Sequence, residues 1–273
     1  GSCRPSQKIE RGAAGPFHVR QRHSILGGME RSSIVISDAH LGAAPAENES
    51  ALMSFLAGIP DITQDLLING DLFDFWFEYD TVILSRHFPV LRVLADLVDA
   101  GVRIRMLGGN HDSWGGRFLT DDIGIELLDG PVTTEVGGLR AYVAHGDGLG
   151  GGDWGYRALK AVIRSRPARA SFKQLHPDWS ARLIRMVSRT ESRHGRPDDP
   201  GSDRRSERLR TLARELLASD PDLDLVVFGH CHQPELLEVE PGRFYLNSGD
   251  WLHHCTWAEV SPDGIELNQW NPR

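Results

Sequence analysis

Short apolar runs recur along the chain, each closed by a polar loop. Ser33-Ile34-Val35-Ile36-Ser37 is β-branched and predicts a buried strand. Asp65-Leu66-Leu67-Ile68-Asn69, Arg103 to Leu107, Leu139 to Ala144 and Leu225 to Phe228 predict four more. Between them the spacing predicts helices over about 47–58 and 81–100, the second with Leu91, Leu94, Leu97 and Val98 on one face. Alternation of strands and helices predicts an α/β sandwich. In such folds functional loops gather beyond the carboxyl ends of strands. Arg243 to Gln269 alternates short strands and turns, one at Asp263-Gly264, and predicts an antiparallel portion.

Residues 149–220 break the pattern. A glycine run (Gly148, Gly150, Gly151, Gly152) leads into three amphipathic stretches, roughly 153–166, 177–194 and 203–219. Trp179, Leu183, Met186 and Val187 share one face of the second; Leu209, Leu212 and Leu216 share one face of the third. The expected domains are a leader or cloning extension over 1–32, a body formed by 33–148 and 221–273, and a helical cap inserted at 149–220. An ordinary helical insert packing its apolar stripe on the body is the plainer alternative for each helix.

Charge sharpens this division. The net charge of -8 is the sum of unlike parts. Residues 154–218 hold sixteen Lys/Arg against seven Asp/Glu, and residues 1–32 hold six against two. The rest is strongly acidic. Acidic clusters can hold cations, and a basic face attracts phosphates or anionic lipid headgroups. No stretch approaches 18 consecutive apolar residues, which excludes a membrane-spanning helix. The leader lacks an apolar core, so a secretory signal is not expected. Cys3, Cys231 and Cys255 are too few for a disulfide framework and fit a reducing cytoplasm.

Five predicted strands end in loops bearing Asp, Asn or His. In order these are Asp38-x-His40, Gly70-Asp71-x-x-Asp74, Gly109-Asn110-His111-Asp112, His145-Gly146-Asp147 and Gly229-His230-x-His232. Singly each is a weak signal, since Asp-x-His after a strand is more often a cap. Together they predict a metal site of oxygen and nitrogen donors, suited to hard or borderline divalent ions.

The ordered set resembles the calcineurin-like metallophosphoesterases over residues 34–260. The resemblance implies an αββα sandwich of two mixed sheets flanked by helices, with two divalent ions at the strand ends. Mn²⁺ is the family expectation; Fe, Zn and Mg remain open. It assigns Asp38, His40 and His232 to one ion, Asn110, His145 and His230 to the other, and Asp71 to both. His111 would contact the phosphoryl group or protonate the leaving oxygen, and Asp112 would orient it.

A narrower resemblance is to UDP-2,3-diacylglucosamine diphosphatases of lipid A biosynthesis. It rests on Gly70-Asp71-Leu72-Phe73-Asp74-Phe75-Trp76, His145-Gly146-Asp147-Gly148-Leu149-Gly150, Leu175-His176-Pro177-Asp178-Trp179-Ser180 and Gly249-Asp250-Trp251. The best-known members have GNRD where this chain has Gly109-Asn110-His111-Asp112, and GHTHRP where it has Gly229-His230-Cys231-His232-Gln233-Pro234. The implied reaction releases UMP and 2,3-diacylglucosamine 1-phosphate, at the inner face of the cytoplasmic membrane. Asp74, Trp76, His176, Arg157 and Lys160 are the candidate substrate contacts. Asp74 could equally cap a turn, and Phe75, Trp76 and Phe77 could be core or pocket wall. Cys231 is expected to point away from the ligands, and His253 and His254 to pack or face solvent.

The same ligands would serve a soluble phosphatase or phosphodiesterase acting on nucleotides. A non-catalytic scaffold has no need of His111 beside seven ligands. The acidic body disfavours duplex DNA as a partner. Oligomeric state is not legible.

Overall fold

The computed structural model describes residues 32–112, 114–149, 165–179, 182 and 200–271. The expected leader, most of the first two cap helices, Arg157 and Lys160 lie outside them.

The five read strands are present as β1 (Ser33–Ile36), β2 (Asp65–Asn69), β3 (Arg103–Leu107), β6 (Leu139–Val143) and β7 (Leu225–Phe228). Six more complete two sheets: β4 (Glu126–Leu128), β5 (Val132–Val136), β8 (Glu235–Glu240), β9 (Arg243–Asn247), β10 (Thr256–Ser261) and β11 (Gly264–Gln269). The first sheet has the order β11-β10-β1-β2-β3-β4, parallel from β1 to β4. The second has the order β5-β6-β7-β9-β8, with β6, β7 and β9 parallel and antiparallel strands at both edges.

Alternating side chains build the layers. In β1, Ile34 and Ile36 join one core cluster while Val35 joins another. The inner cluster takes Val35, Leu67 and Leu107 from the first sheet and Ala141, Val143, Leu225, Val227 and Leu246 from the second. The outer face of the first sheet is covered by α1 (Ala46–Ala57) and α2 (Phe88–Asp99), which bury Leu52, Phe55 and Leu56, and Leu91, Leu94 and Leu97. The result is the expected αββα sandwich.

Two boundaries differ from the sequence reading. The helix expected over 81–100 starts at Phe88, because Pro89 stands in its first turn and Ser85–His87 form a 3-10 turn before it. The helix of the third cap stretch, α4 (Pro200–Ser219), belongs by packing to the body. Its Leu209, Ala213 and Leu217 are buried with Val226, Phe228 and Tyr245 on the outer face of the second sheet. The stretch read as cap thus already includes a body helix, whose apolar stripe finds the sheet rather than a pocket. The remaining described helix, α3 (Arg166–Lys173), is held by Phe172, whose ring lies 4.6 Å from Phe77 and 5.4 Å from Trp114.

A buried histidine at the start of α2, packed against Phe73 and Trp76, gives the fold a pH dependence. His87 is 2% exposed, accepts a hydrogen bond from Arg86 Nε at 3.2 Å and packs against Phe73. Burial and the adjacent Arg86 cation push its pKa down to about 3. The unfolded chain, with an ordinary histidine near 6.5, therefore binds the extra proton first. Stability contributed above about pH 6.5 is lost as pH falls towards 3. Between pH 7 and 5.5 the wild type should lose about 1 kcal/mol more than His87→Gln. Urea midpoints at the two pH values measure this; equal losses would contradict it.

Candidate metal centre

The carboxyl ends of β1, β2 and β3 in one sheet, and of β6 and β7 in the other, meet at a single edge of the sandwich. There the backbone leaves the allowed regions preferred by ordinary residues. Asp38, His40, Asp71, His230 and His232 have φ of 53°, 45°, 53°, 66° and 59°. Left-handed conformations in non-glycine residues are costly, and they persist where surrounding contacts impose them. Here those contacts are backbone bonds between loops: Asp38 N–H to Gly70 O at 3.0 Å, His40 N–H to Asp71 O at 2.9 Å and Gly229 N–H to His145 O at 2.8 Å.

The expected ligands converge. One donor atom from each of Asp38, His40 and His232 lies within 4.8 Å of the others, and the same holds for Asp71, His145 and His230. Asn110 Oδ1 lies 3.3 Å from His145 Nε2 and 3.1 Å from His230 Nδ1, completing the second set. Asp71 faces both sets: its Oδ2 is 3.2 Å from His145 Nε2 and 3.7 Å from His40 Nε2. His145 Nδ1 is 2.9 Å from the carbonyl oxygen of Asn69, which accepts its hydrogen and leaves the Nε2 lone pair for a ligand.

The electrostatics are those of acids and bases buried against one another. Burial drives the pKa of Asp38 up and that of His40 well down, and it pushes His230 to about 3. Burial opposes charge on His145 as well, yet Asp71 and Asp38 hold its pKa well above the usual value. Asp71 stays well below the usual carboxylate range despite burial, because His145 and His111 stand beside it.

These residues fit divalent ions. Nε2 of His40 is buried without a hydrogen-bond partner, an expensive arrangement unless something accepts its lone pair. The backbone is also cut away around the donors. A Cβ on Gly109 would stand 2.1 Å from Asp71 Oδ1, and one on Gly70 would stand 2.4 Å from His145 Nδ1.

Other expected residues take different places. His111 lies at the site: its ring centroid is 4.7 Å from that of His40, its N–H reaches Asp71 Oδ1 at 2.8 Å, and its Nδ1 is 2.8 Å from the Asp74 carbonyl oxygen. Asp74 is buried and its carboxylate is 3.8 Å from His111 Nδ1, so it meets the histidine rather than only capping a turn. Asp112, expected to orient His111, has a larger task. Its carboxylate accepts the N–H groups of Gly109, Asp71, Leu72 and Phe73, which ties the β2 and β3 loops together. Burial, then Asp71, raises its pKa to about 6.

Trp76 is 1% exposed, stacked 4.5 Å from Phe73, with its indole N–H on Glu78, so it packs in the core behind the loop, the alternative that the sequence left open. His176 is exposed and pairs with Asp178 at 3.7 Å, outside the ligand cluster. Cys231 points into the core as expected, where its sulfur accepts from Asn247 Nδ2 at 3.1 Å. His253 is exposed, while His254 is bonded to Asp250. Asp250 itself was legible only as part of Gly249-Asp250-Trp251, with no chemistry attached.

The family profile described as "Calcineurin-like phosphoesterase" matches residues 32–234, so the chain belongs to the calcineurin-like phosphoesterases. It is a metal-dependent phosphoester hydrolase. Among curated relatives, a protein of Porphyromonas gingivalis named UDP-2,3-diacylglucosamine hydrolase is 30% identical, over 81% of this chain and 91% of the relative. Proteins of the same name from Ralstonia nicotianae and Bordetella parapertussis are each 30% identical, over 80% and 84% of this chain and 84% and 92% of theirs. Among solved structures, the E. coli phosphoesterase Yfce is similar at a TM-score of 0.42 and 14% identity, over 88% of this chain and 93% of that one.

Proposed function

We propose that the chain hydrolyses the diphosphate of UDP-2,3-diacylglucosamine, releasing UMP and 2,3-diacylglucosamine 1-phosphate. The observation that carries this is the collinear similarity to relatives of that name, together with a complete ligand cluster. Asp38, His40 and His232 would hold one ion, Asn110, His145 and His230 the other, and Asp71 both, with Mn²⁺ the expected metal. Bound there, two divalent ions lower the pKa of an attacking water and neutralise the phosphoryl oxygens. Asp71, anchored by the His111 amide, sets the spacing of the two ligand sets. His111 Nδ1 donates to the Asp74 carbonyl, so Nε2 would donate to the phosphoryl or departing oxygen from the protonated, imidazolium form of the ring.

The insert supplies the substrate's other needs. Phe172 joins α3 to Phe75, Phe77 and Trp114, next to Asp74 and just beyond the loop of His111. Leu175 and Trp179 are exposed at 38% and 68% within a strongly basic stretch. Apolar side chains among cations suit an acylated anion and an anionic membrane surface. Among the described residues no helix is long and apolar enough to cross a membrane. His111, standing where related diphosphatases have Arg, favours a second reading: a phosphatase or phosphodiesterase acting on soluble nucleotides.

Purified protein with Mn²⁺ should turn over UDP-2,3-diacylglucosamine far faster than UDP-glucose or bis-p-nitrophenyl phosphate. It should also sediment with phosphatidylglycerol vesicles at low salt and leave them at high salt. Preference for the soluble substrates, with indifference to lipid charge, would replace the first reading by the second.

A further inference from the structure

Asp250, on the loop after β9, sits behind the ligand cluster and divides its two oxygens between distinct partners. Oδ1 accepts the backbone N–H groups of His253 at 2.6 Å and His254 at 3.0 Å. Oδ2 lies 2.9 Å from His254 Nδ1 and 3.5 Å from His232 Nδ1. The carboxylate is fully buried. Its loop is pinned by Thr256, whose N–H reaches the Asp250 carbonyl at 3.1 Å and whose hydroxyl reaches the Ser248 carbonyl at 2.6 Å.

Across the ring, His232 Nε2 lies 3.5 Å from Asp38 Oδ1, on the side where Asp38 and His40 offer their donors. A neutral imidazole carries its hydrogen on one nitrogen only. If Nε2 is the ligand, Nδ1 carries the hydrogen and requires an acceptor. His232 Nδ1 is buried without a hydrogen bond at its present geometry, and Asp250 Oδ2, 3.5 Å away, is the carboxylate oxygen that faces it.

We infer that Asp250 is a positioning residue, which holds His232 as the Nδ1–H tautomer so that Nε2 faces the ion shared with Asp38 and His40. The inference rests on the metal-site reading above. It also makes the two sites unequal. The corresponding acceptor for His145 is the neutral carbonyl of Asn69, whereas His232 is backed by a carboxylate, which raises the basicity of its ligand nitrogen.

The test is stepwise Mn²⁺ binding to the metal-free chain, with thermal unfolding of each metal-free variant as the control for folding. Asp250→Asn should weaken one of two binding steps by roughly 10–100-fold and leave the other unchanged, with turnover recovering at high Mn²⁺. Both steps unchanged, or both weakened equally, overturns the inference. Long-range ¹H–¹⁵N spectra of the Zn²⁺-loaded wild type decide the matter without any substitution: hydrogen on His232 Nδ1 supports it, and hydrogen on Nε2 overturns it. His232→Ala separates the two levels of the argument. If it too leaves both steps unchanged, the metal-site reading itself fails; if it abolishes a step that Asp250→Asn preserves, only the positioning role fails.

Discussion

Asp71→Ala is expected to bring turnover close to background and to deplete both ions. Its carboxylate stands 3.2 Å from His145 Nε2 and 3.7 Å from His40 Nε2, between the two ligand sets and nearer to His145 than Asp38 is at 4.0 Å. Removing it leaves several buried imidazoles without their counter-charge. His111→Ala should behave differently, because its ring is held by the Asp74 carbonyl and belongs to neither ligand set. Loss of an acid–base group costs roughly 10²–10⁴ in turnover, while the metals stay. Metal content by mass spectrometry separates the cases. If the His111 variant is as depleted as the Asp71 variant, the role given to His111 is wrong.

The second large effect is expected from a single methyl group. In Gly109→Ala the new Cβ would stand 2.1 Å from Asp71 Oδ1 and 2.6 Å from the Asp71 backbone nitrogen. The carboxylate cannot swing aside, since the His111 amide and the loops gathered by Asp112 hold it. A displacement near 1 Å at such a group costs roughly 10²-fold in rate. Gly109→Ala should therefore lose at least that much turnover and part of its bound metal. Gly58→Ala is the control, because its nearest contact is an ordinary 3.5 Å from the Phe55 carbonyl. Steady-state rates on an activated phosphodiester check both variants. Equal activity in the two would contradict the cradle around Asp71.

What the sequence disclosed follows from burial. β1, β2 and β7 lie in sheet interiors and are buried almost throughout, so their apolar runs are nearly continuous; β3 and β6 are interior too, with Arg103, Arg105 and Arg140 interrupting theirs. β5 and β8 are edge strands in which exposed Glu and Thr alternate with half-buried residues, and that pattern is too weak to read singly. The ligands were legible because Asp, Asn and His at the ends of five strands are rare by accident. The left-handed φ values that aim them were not, since those arise from bonds between loops far apart in the chain. The backbone contacts of Asp112 and Asp250 were illegible for a related reason. Their work is to gather backbone N–H groups and hold an imidazole, which depends on which loops meet and leaves no spacing signature. Helix α4 was placed in the cap because its arginines dominate its composition. Its Leu209, Ala213 and Leu217 stripe, which decides where it packs, is equally compatible with a sheet or a pocket until the fold is known.

The central claim is that the two ligand sets at the sheet edge form one dinuclear hydrolytic centre. The most direct measurement is titration of the chelator-stripped protein with Mn²⁺ while turnover of a phosphodiester is followed. The account predicts negligible turnover in the stripped protein, two equivalents bound per chain, and activity that rises with filling of the second. Full activity in the stripped protein, or saturation of activity at one equivalent with no second ion bound, would contradict it.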